Sequence, residues 1–325
     1  MQLKVAFHRN PRVEPLVDGT VKLEGYDCDW NIGHAAQLHL WHLTENACDV
    51  FEFSMSNLLI TKDKPARAHL RWVAIPTFLM KAAMWLDFYV HADSGIKSFA
   101  DLKGKRVGLP DFQMTAGVWM RIVLRELYGI RPQDIQWVNG RTPSQTHGEG
   151  VGEHLAPGIE VRRLQEGENL NDLLQRGEID AAYGDSHTAA VSAGPKVHML
   201  APEIGRQVFA DYYAKTGMTP VNHVLLMQER LLQQDPGLPM LLYNTFERSK
   251  QVAYERARHA AEGLLLFPGL DFARNAAEFG EDPYAPGLKA NRRVVQAVID
   301  ELVDEQLISR RPEVDAIFAE ATRNT

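Results

Sequence analysis

The fold is decided by the stretch DLKGKRVGLPDFQMTAGVWMRIVLRELYGIRPQDIQWVNG, residues 101–140. Residues 105–109 predict a strand that Pro110 stops. Residues 115–128 carry apolar positions at helical spacing and predict a helix that ends at Gly129. Residues 136–138 then predict the next strand. A strand, a crossover helix and a second strand form the repeating unit of a parallel α/β sheet.

The same alternation continues on both sides of this stretch. Residues 3–7 and 50–53 predict strands that end in polar residues, and residues 21–24 predict a strand between them. Further strands are predicted over residues 72–76, 88–90, 161–164, 179–183, 197–200 and 221–227, and further helices over 33–46, 170–176, 236–265, 294–307 and 312–322. Because open α/β sheets bind ligands beyond the carboxyl ends of their strands, we expect the site at those polar ends.

The length of the chain, 325 residues, exceeds one ordinary hydrophobic core and suits two α/β lobes. We expect a discontinuous first lobe, residues 1–90 together with the largely helical 195–325, and a second lobe over residues 91–194. Residues 140–158 are rich in Gly, His and Pro and have the length of a functional lid or an interlobe arm.

Composition and charge exclude several classes of function. A hydrophobic content of 45% and a charged content of 24% are typical of a globular protein. The net charge of −7, without a block of Lys and Arg, argues against a nucleic-acid partner. No window approaches the roughly 18 apolar residues of a membrane span, so no membrane partner is expected. The opening MQLKVAFHRN enters a strand without a signal-peptide pattern, which predicts a cytoplasmic location.

Residues 101–140 resemble the 4,5-dihydroxyphthalate decarboxylases, chiefly through QMTA at residues 113–116 and YGI at residues 128–130. Weaker similarities to the same family are LVDGTVKLEGYD (16–27), DVFEFSMSNLL (49–59), VAIPTF (73–78), ADSGI (92–96), PVNHVLL (220–226), AYERAR (253–258) and DPYAPGLKANRR (282–293). The resemblance implies a two-lobed type II periplasmic-binding-protein-like α/β fold with additional C-terminal helices. It also implies a carboxy-lyase that needs no cofactor and acts on a hydroxylated aromatic carboxylic acid.

The chain departs from the family pattern at three positions. Glu14 stands where the family carries a second arginine, and Met84 and Trp85 stand where it tends to carry an Arg-His pair. A lost guanidinium removes a contact for one carboxylate of a dianionic phthalate. A monocarboxylate or another aromatic acid therefore fits these substitutions at least as well.

Decarboxylation of a hydroxylated aromatic acid requires a proton donor for the ring carbon and a pocket that removes the carboxylate from water. Histidine titrates near neutrality, which makes it the natural donor. His223 lies in the PVNHVLL segment shared with the family and is the first candidate. His8 ends the first predicted strand and is the second candidate. A structural hinge histidine and an exposed strand-end histidine are the respective alternatives.

Carboxylate binding calls for guanidinium, hydroxyl and backbone N–H donors, including those of a helix N-terminus. The candidate ligand-binding residues are Arg12, Ser54, Ser56, Asn57, Gln113, Met114, Thr115, Ala116, Asp185 and His187. Each has an ordinary structural alternative, such as a surface ion pair, a turn, a helix cap or a solvated loop.

Other functions receive less support from the residues. His34, His39 and His42 invite a zinc site, but only His39 and His42 share a helix face and no further ligand is suitably spaced. We therefore expect no metal. A solute-binding protein, a cytosolic sensor of an aromatic acid and a different lyase on the same scaffold remain open. The expected partner is a small aromatic carboxylate, and the helical C-terminal region suggests a homo-oligomer.

Overall fold

The computed structural model describes residues 1–81, 84–142, 155–184 and 191–325. Its strands are β1 (Gln2–His8), β2 (Asp27–Gly33), β3 (Val50–Ser54), β4 (Trp72–Lys81), β5 (Phe88–His91), β6 (Arg106–Leu109), β7 (Gln136–Asn139), β8 (Glu160–Arg163), β9 (Ala181–Tyr183), β10 (Val197–Met199) and β11 (Val221–Gln228). Its helices are α1 (Glu14–Val17), α2 (Ala35–Glu45), α3 (Met55–Asp63), α4 (Thr115–Tyr128), α5 (Leu170–Gln175), α6 (Pro202–Thr216), α7 (Arg230–Gln234), α8 (Leu238–Leu264), α9 (Pro268–Phe279), α10 (Leu288–Asp304) and α11 (Val314–Ile317).

The strands form two sheets, one in each lobe. The first sheet has the order β2-β1-β3-β11-β4, and the second has the order β10-β5-β9-β6-β7-β8. The chain leaves the first sheet after β4 and returns to it with β11. Strands β5 and β10, which lie next to the two crossings, pair with each other in the second sheet. The predicted lobe boundary at residues 90 and 91 falls inside β5, and the predicted boundary at residues 194 and 195 precedes β10. The prediction of an α/β protein with two sheets is confirmed.

The second strand of the first sheet is not where the sequence predicted it. Residues 21–24 form no strand, because the left-handed turns at Gly19 and Gly25 bracket a short segment that packs as a loop. The neighbour of β1 is β2, which pairs with it in parallel from Gln2 opposite Asp27 to His8 opposite Gly33. The prediction failed because buried Val21 and Leu23 resemble a strand in composition.

The C-terminal helices also differ from the prediction. Residues 312–322 form only the short α11 and a separate 3₁₀ turn, Glu320–Thr322, whereas α9 was not predicted at all. Helix α10 packs against α4 through two charge pairs, Arg121 with Glu305 and Arg125 with Glu301. These pairs tie the C-terminal region to a helix that begins in the second lobe. Within the described residues, no helix combines the length and apolar character needed to cross a bilayer.

The α4–α10 contact predicts a pH dependence of stability. Burial, followed by the neighbouring Glu305 carboxylate, raises the pKa of Glu301 from 4.5 to about 7. A raised pKa in the folded state gives stability that is complete below pH 4.5 and is lost as the pH rises through about 7. We expect the free energy of unfolding of the wild type to fall by on the order of 3 kcal/mol across this window through this one group.

Denaturant unfolding at several pH values measures this effect. Glu301→Gln should flatten the pH dependence of the free energy of unfolding between pH 4.5 and about pH 7, because the titrating group is gone. Asp304→Asn, which removes an exposed carboxylate from the same helix, is the matched control and should leave the slope unchanged. An equal slope in the wild type and in Glu301→Gln would contradict the assignment.

Candidate active site

A cleft of about 400 Å³ lies between the two lobes, where the carboxyl ends of β1, β3 and β6 meet the crossing strands. Both lobes contribute to its wall. The lining residues are His8, His34, Ala35, Ala36, His39, Ser54, Asn57, Met80, Asp87, Tyr89, Met114, Thr115, Ala116, Arg141, Tyr183, Gly184, Val191, Asn222 and His223. The cleft therefore combines histidine rings, amide and hydroxyl groups and one guanidinium.

The central feature of the cleft is an imidazole held by a buried carboxylate. His223 Nδ1 lies 2.5 Å from Glu52 Oε1, and the Glu52 side chain is 2% exposed. The second oxygen of Glu52 accepts a hydrogen bond of 2.9 Å from the backbone N–H of His8. Because the carboxylate accepts a hydrogen bond from Nδ1–H, Nε2 is the ring nitrogen left for a ligand.

The sheet explains why these two side chains meet. In the antiparallel pair of β3 and β11, His223 is opposite Ser54 and Leu225 is opposite Glu52, so His223 and Glu52 are diagonal neighbours on one face. The pairing of β11 with β4 shifts register on both sides of His223. Such irregularities re-aim a side chain next to functional sites. The ring of His39 packs edge-to-face on His223, with 4.8 Å between centroids.

Two helix N-termini, one from each lobe, meet beside this histidine. Ser54 Oγ lies 2.8 Å from Thr115 Oγ1, and Thr115 Oγ1 also accepts from the backbone N–H of Ser56 at 3.0 Å. Ser56 Oγ donates to the carbonyl of Gln113 at 2.7 Å. These contacts join the start of α3 to the start of α4. The N-cap of α4 is Met114, whose side chain cannot cap the helix, and Met114, Thr115 and Ala116 line the cleft, so the start of α4 is suited to an anion.

Arg141 brings a positive charge into the cleft from the second lobe. It follows β7 by two residues, its side chain is 4% exposed, and its Nη1 lies 3.6 Å from Asp111 Oδ2. Gly140 allows this position, since a Cβ there would lie 2.5 Å from Leu170 Cδ1 and 3.1 Å from the Leu109 carbonyl. The turn that delivers Arg141 therefore needs a glycine.

Three acceptor atoms in the cleft receive no hydrogen bond from the described part of the chain. They are the side-chain oxygens of Asn57 and Asn222 and Nδ1 of His8, all of them buried. A buried acceptor without a donor costs free energy, so each of these atoms favours a ligand that supplies one. Hydroxyl groups are suitable donors. The cleft is thus equipped for a ligand with an anionic group and hydroxyl groups together.

The structure brings most of the predicted site residues together. His223, His8, Ser54, Asn57, Met114, Thr115 and Ala116 line the cleft. Ser56 and Gln113 lie behind this wall, where they join the two helices. Arg12 does not line the cleft: its Nη2 donates to the Leu79 carbonyl at 2.6 Å, and its guanidinium stacks on Tyr284. Asp185 and His187 lie outside the described residues, as does most of the predicted lid at 140–158.

The three histidines of α2 and its N-cap have separate environments. His34 caps the helix by accepting from the Ala36 N–H at 3.3 Å, and His39 lines the cleft. Burial lowers the pKa of His42 to about 3, and its ring packs on Phe51 away from the cleft. Among the described residues no three His, Cys, Asp or Glu side chains are grouped as a metal site.

Several cleft residues were missed by the sequence analysis. Glu52 was part of the predicted strand 50–53 but was not named as a site residue. A carboxylate between two phenylalanines of a buried strand is unusual, and this pattern could have identified Glu52 from the sequence. Arg141 follows a predicted strand by three residues and could have been found by the argument applied to Ser54. No local sequence pattern identifies Asn222, Asp87, Tyr89 or Tyr183 as site residues, because the crossings between the lobes bring them into the cleft.

Two sheets, a double crossing and a ligand-sized cleft between the lobes define the class of two-lobed periplasmic-binding-protein folds. The structure is similar to that of the periplasmic aliphatic sulphonate binding protein SsuA from Escherichia coli, with a TM-score of 0.58 and 13% identity over 99% of this chain and 98% of that one. A likeness at this identity shows the fold alone. The prediction of this fold class is confirmed.

Sequence comparison gives the family. The chain is 33% identical to 4,5-dihydroxyphthalate decarboxylase of Comamonas testosteroni over 99% of this chain and 97% of the relative. It is 32% identical to 4,5-dihydroxyphthalate decarboxylase of Pseudomonas putida over 62% of this chain and 77% of the relative. Residues 81–148 also match the family described as NMT1/THI5 like. The chain belongs to the 4,5-dihydroxyphthalate decarboxylase family, and it is a carboxy-lyase by class.

Proposed function

We propose that this chain is a cofactor-independent decarboxylase of a hydroxylated aromatic carboxylic acid similar to 4,5-dihydroxyphthalate, and that His223 protonates the ring carbon that bears the carboxylate. The observation that carries the proposal is the Glu52–His223 pair in the wall of the interlobe cleft. The family supports the reaction class, and the two relatives are named for 4,5-dihydroxyphthalate.

The second lobe supplies the groups that bind the carboxylate in this proposal. The first-turn N–H groups of α4 and the guanidinium of Arg141 are hydrogen-bond donors on the same side of the cleft. Asp111 holds the guanidinium in position, and an arginine has enough N–H donors to bind a carboxylate as well. A carboxylate bound here is withdrawn from bulk water, which favours release of neutral carbon dioxide while the electron pair of the breaking bond stays on the ring.

The first lobe supplies the acceptors for the ring hydroxyl groups. The oxygens of Asn57 and Asn222 and Nδ1 of His8 are buried acceptors that a phenol can satisfy. A phenol that donates to His8 places more electron density on its ring, which makes the ring carbon a better proton acceptor. His8 therefore assists protonation as an acceptor for the hydroxyl proton.

The chemical step is a proton-for-carboxylate exchange at one ring carbon. The imidazolium of His223 transfers its Nε2 proton to that carbon, and the Glu52 carboxylate stabilises the imidazolium before transfer. The bond between the ring carbon and the carboxylate then breaks, its electron pair restores the aromatic ring, and carbon dioxide leaves. His223 regains a proton from solvent. The balance is one aromatic carboxylate and one proton in, one arene and one carbon dioxide out.

Turnover of a substrate panel tests the proposal. Purified protein treated with a chelator should release carbon dioxide from hydroxylated aromatic mono- or dicarboxylates, and in heavy water the product should carry deuterium at the former carboxylate position. Arg141→Lys keeps the charge but loses the planar fork, so KM should rise by about 10-fold while the product stays the same. Arg310→Lys, at an exposed position, is the matched control.

Other outcomes would replace the proposal. Binding of the acids without carbon dioxide release would favour a solute-binding protein or a sensor. Release of water instead of carbon dioxide would favour another lyase reaction on this scaffold. Activity that disappears with the chelator and returns with a metal ion would contradict cofactor independence.

A further inference from the structure

The largest run of exposed apolar side chains among the described residues lies outside the cleft, at the end of α8. Leu264 is 83% exposed, Leu266 is 91% exposed and Phe267 is 68% exposed. Leu265, Leu270 and Phe272 add to the same patch. We call residues 264–272 the apolar tip. A monomer in water does not favour a contiguous patch of this kind, which marks a contact surface.

Helix α9, which continues from the tip, has little packing within its own chain. It is a 12-residue helix, and none of its residues is buried. Isolated helices of this length are marginal in water, because most helical stability comes from packing of an apolar face. Among the described residues, the side-chain contacts of α9 lie in its last turn, where Phe279 packs on Phe209 and Tyr213 and Glu278 pairs with Arg206. The rest of α9 therefore needs a surface that this chain does not provide.

A seam of small residues leads along α8 to the tip. Ala253, Ala257, Ala260 and Leu264 follow one another at intervals of four, three and four residues, which places them on one face of the helix. Ala253 is buried in its own lobe, and the face is exposed from Ala257 onward. The three alanines line an open groove of about 480 Å³. Small residues let another helix approach closely.

We propose that the apolar tip and this seam bind the same segment of a second copy of the chain, with the two α8 helices antiparallel. In an antiparallel pair centred between Ala260 and Ala261, each Ala257 lies opposite Leu264 of the other copy. Each Ala260 then lies opposite Ala261 of the other copy. The large side chain of Leu264 is thereby matched with a small one, which is the condition for close packing. A two-fold pair is also the commonest form of oligomer.

Area and charge favour this occupant over others. At roughly 100 Å² of apolar surface for each exposed side chain, the six residues of the tip offer on the order of 600 Å². The alanine seam and α9 extend this toward the about 800 Å² per partner of a stable interface. Residues 264–282 carry a net negative charge, which disfavours binding to an anionic membrane surface. The charged residues are Arg274 on one side and Asp271, Glu278, Glu281 and Asp282 on the other.

Sedimentation velocity of the full chain tests the interface. The wild type should sediment as a dimer or a multiple of it at micromolar concentration. Leu264→Glu with Phe267→Glu should weaken association by at least about 100-fold, because both charges would enter the apolar contact. Leu40→Glu changes an exposed leucine on α2 and is the matched control. Retained helix content by circular dichroism would exclude unfolding of the variant.

Cross-linking tests the antiparallel geometry separately. Ala260→Cys should give a disulfide-linked dimer on mild oxidation, since Ala260 lies next to the two-fold axis and close to Ala260 of the other copy. A wild type that remains monomeric, or that binds anionic vesicles as a monomer, would overturn the proposal. Association that survives the double substitution, or an Ala260→Cys protein that does not cross-link, would do the same.

Discussion

Replacing His223 with glutamine should lower kcat by about 10³-fold, while the substrate still binds with a KM within several-fold of the wild type. Glutamine can keep a hydrogen bond to Glu52 but cannot carry the proton to the ring carbon. The loss appears in kcat because the proton is transferred only in the transition state. Steady-state kinetics on the best substrate of the panel, together with titration of a non-reactive analogue, separates the two parameters.

The role of Glu52 is tested by the same measurement. Glu52→Gln removes the negative charge that faces the imidazolium in the proposed mechanism, so kcat should fall. His198→Gln, at an exposed position on β10, is the control and should behave as the wild type. If His223→Gln retained activity and His8→Gln abolished it, the proton donor would be His8.

Replacing Arg121 with methionine should lower the free energy of unfolding by about 3–5 kcal/mol, because the buried Glu305 carboxylate would lose its partner. Arg121 is fully buried and binds Glu305 through two nitrogens, one of which lies 2.7 Å from Oε2. It also donates to the carbonyl of Phe112 at 2.9 Å and stacks on that ring. Denaturant unfolding measures the loss.

Two further variants show whether the burial of the ion pair causes the loss of stability in Arg121→Met. Arg292→Met breaks an exposed ion pair with Asp315 and should cost within about 1 kcal/mol. Arg121→Met combined with Glu305→Leu should recover much of the loss, since no unpaired charge then remains. A cost for Arg121→Met that matched the surface variant would mean that the buried pair contributes little.

The fold was largely predictable, because residues 101–140 carry a strand, a helix and a strand with clear boundaries. Helical periodicity placed α4 at its observed bounds, since its apolar residues and its terminal Gly129 both lie in the local sequence. Strand β2 was missed because its residues alternate at a sheet edge with weak apolar character. Helix α9 was missed because its apolar residues face no core of this chain.

The site was predictable only in part. Local sequence placed Ser54 at a strand end and Thr115 at a helix start, but their hydrogen bond joins residues that are 61 positions apart. The Glu52–His223 pair spans 171 positions and depends on the register of β3 and β11. Arg12 has a guanidinium that could bind a carboxylate, yet this group contacts the Leu79 carbonyl and the Tyr284 ring instead. Strand register and long-range contacts, which the local sequence does not give, decide which polar residues reach the cleft.

His223 and Glu52 belong to one sheet, whereas Arg141 and the start of α4 belong to the other lobe. In the proposed mechanism, a relative movement of the lobes would change the distance between the His223 proton and a carboxylate bound by the second lobe, and it would leave the His223–Glu52 pair intact. Solvent would then return a proton to His223 while the cleft is open and empty. Proton uptake and substrate binding would thus be separate steps of the cycle.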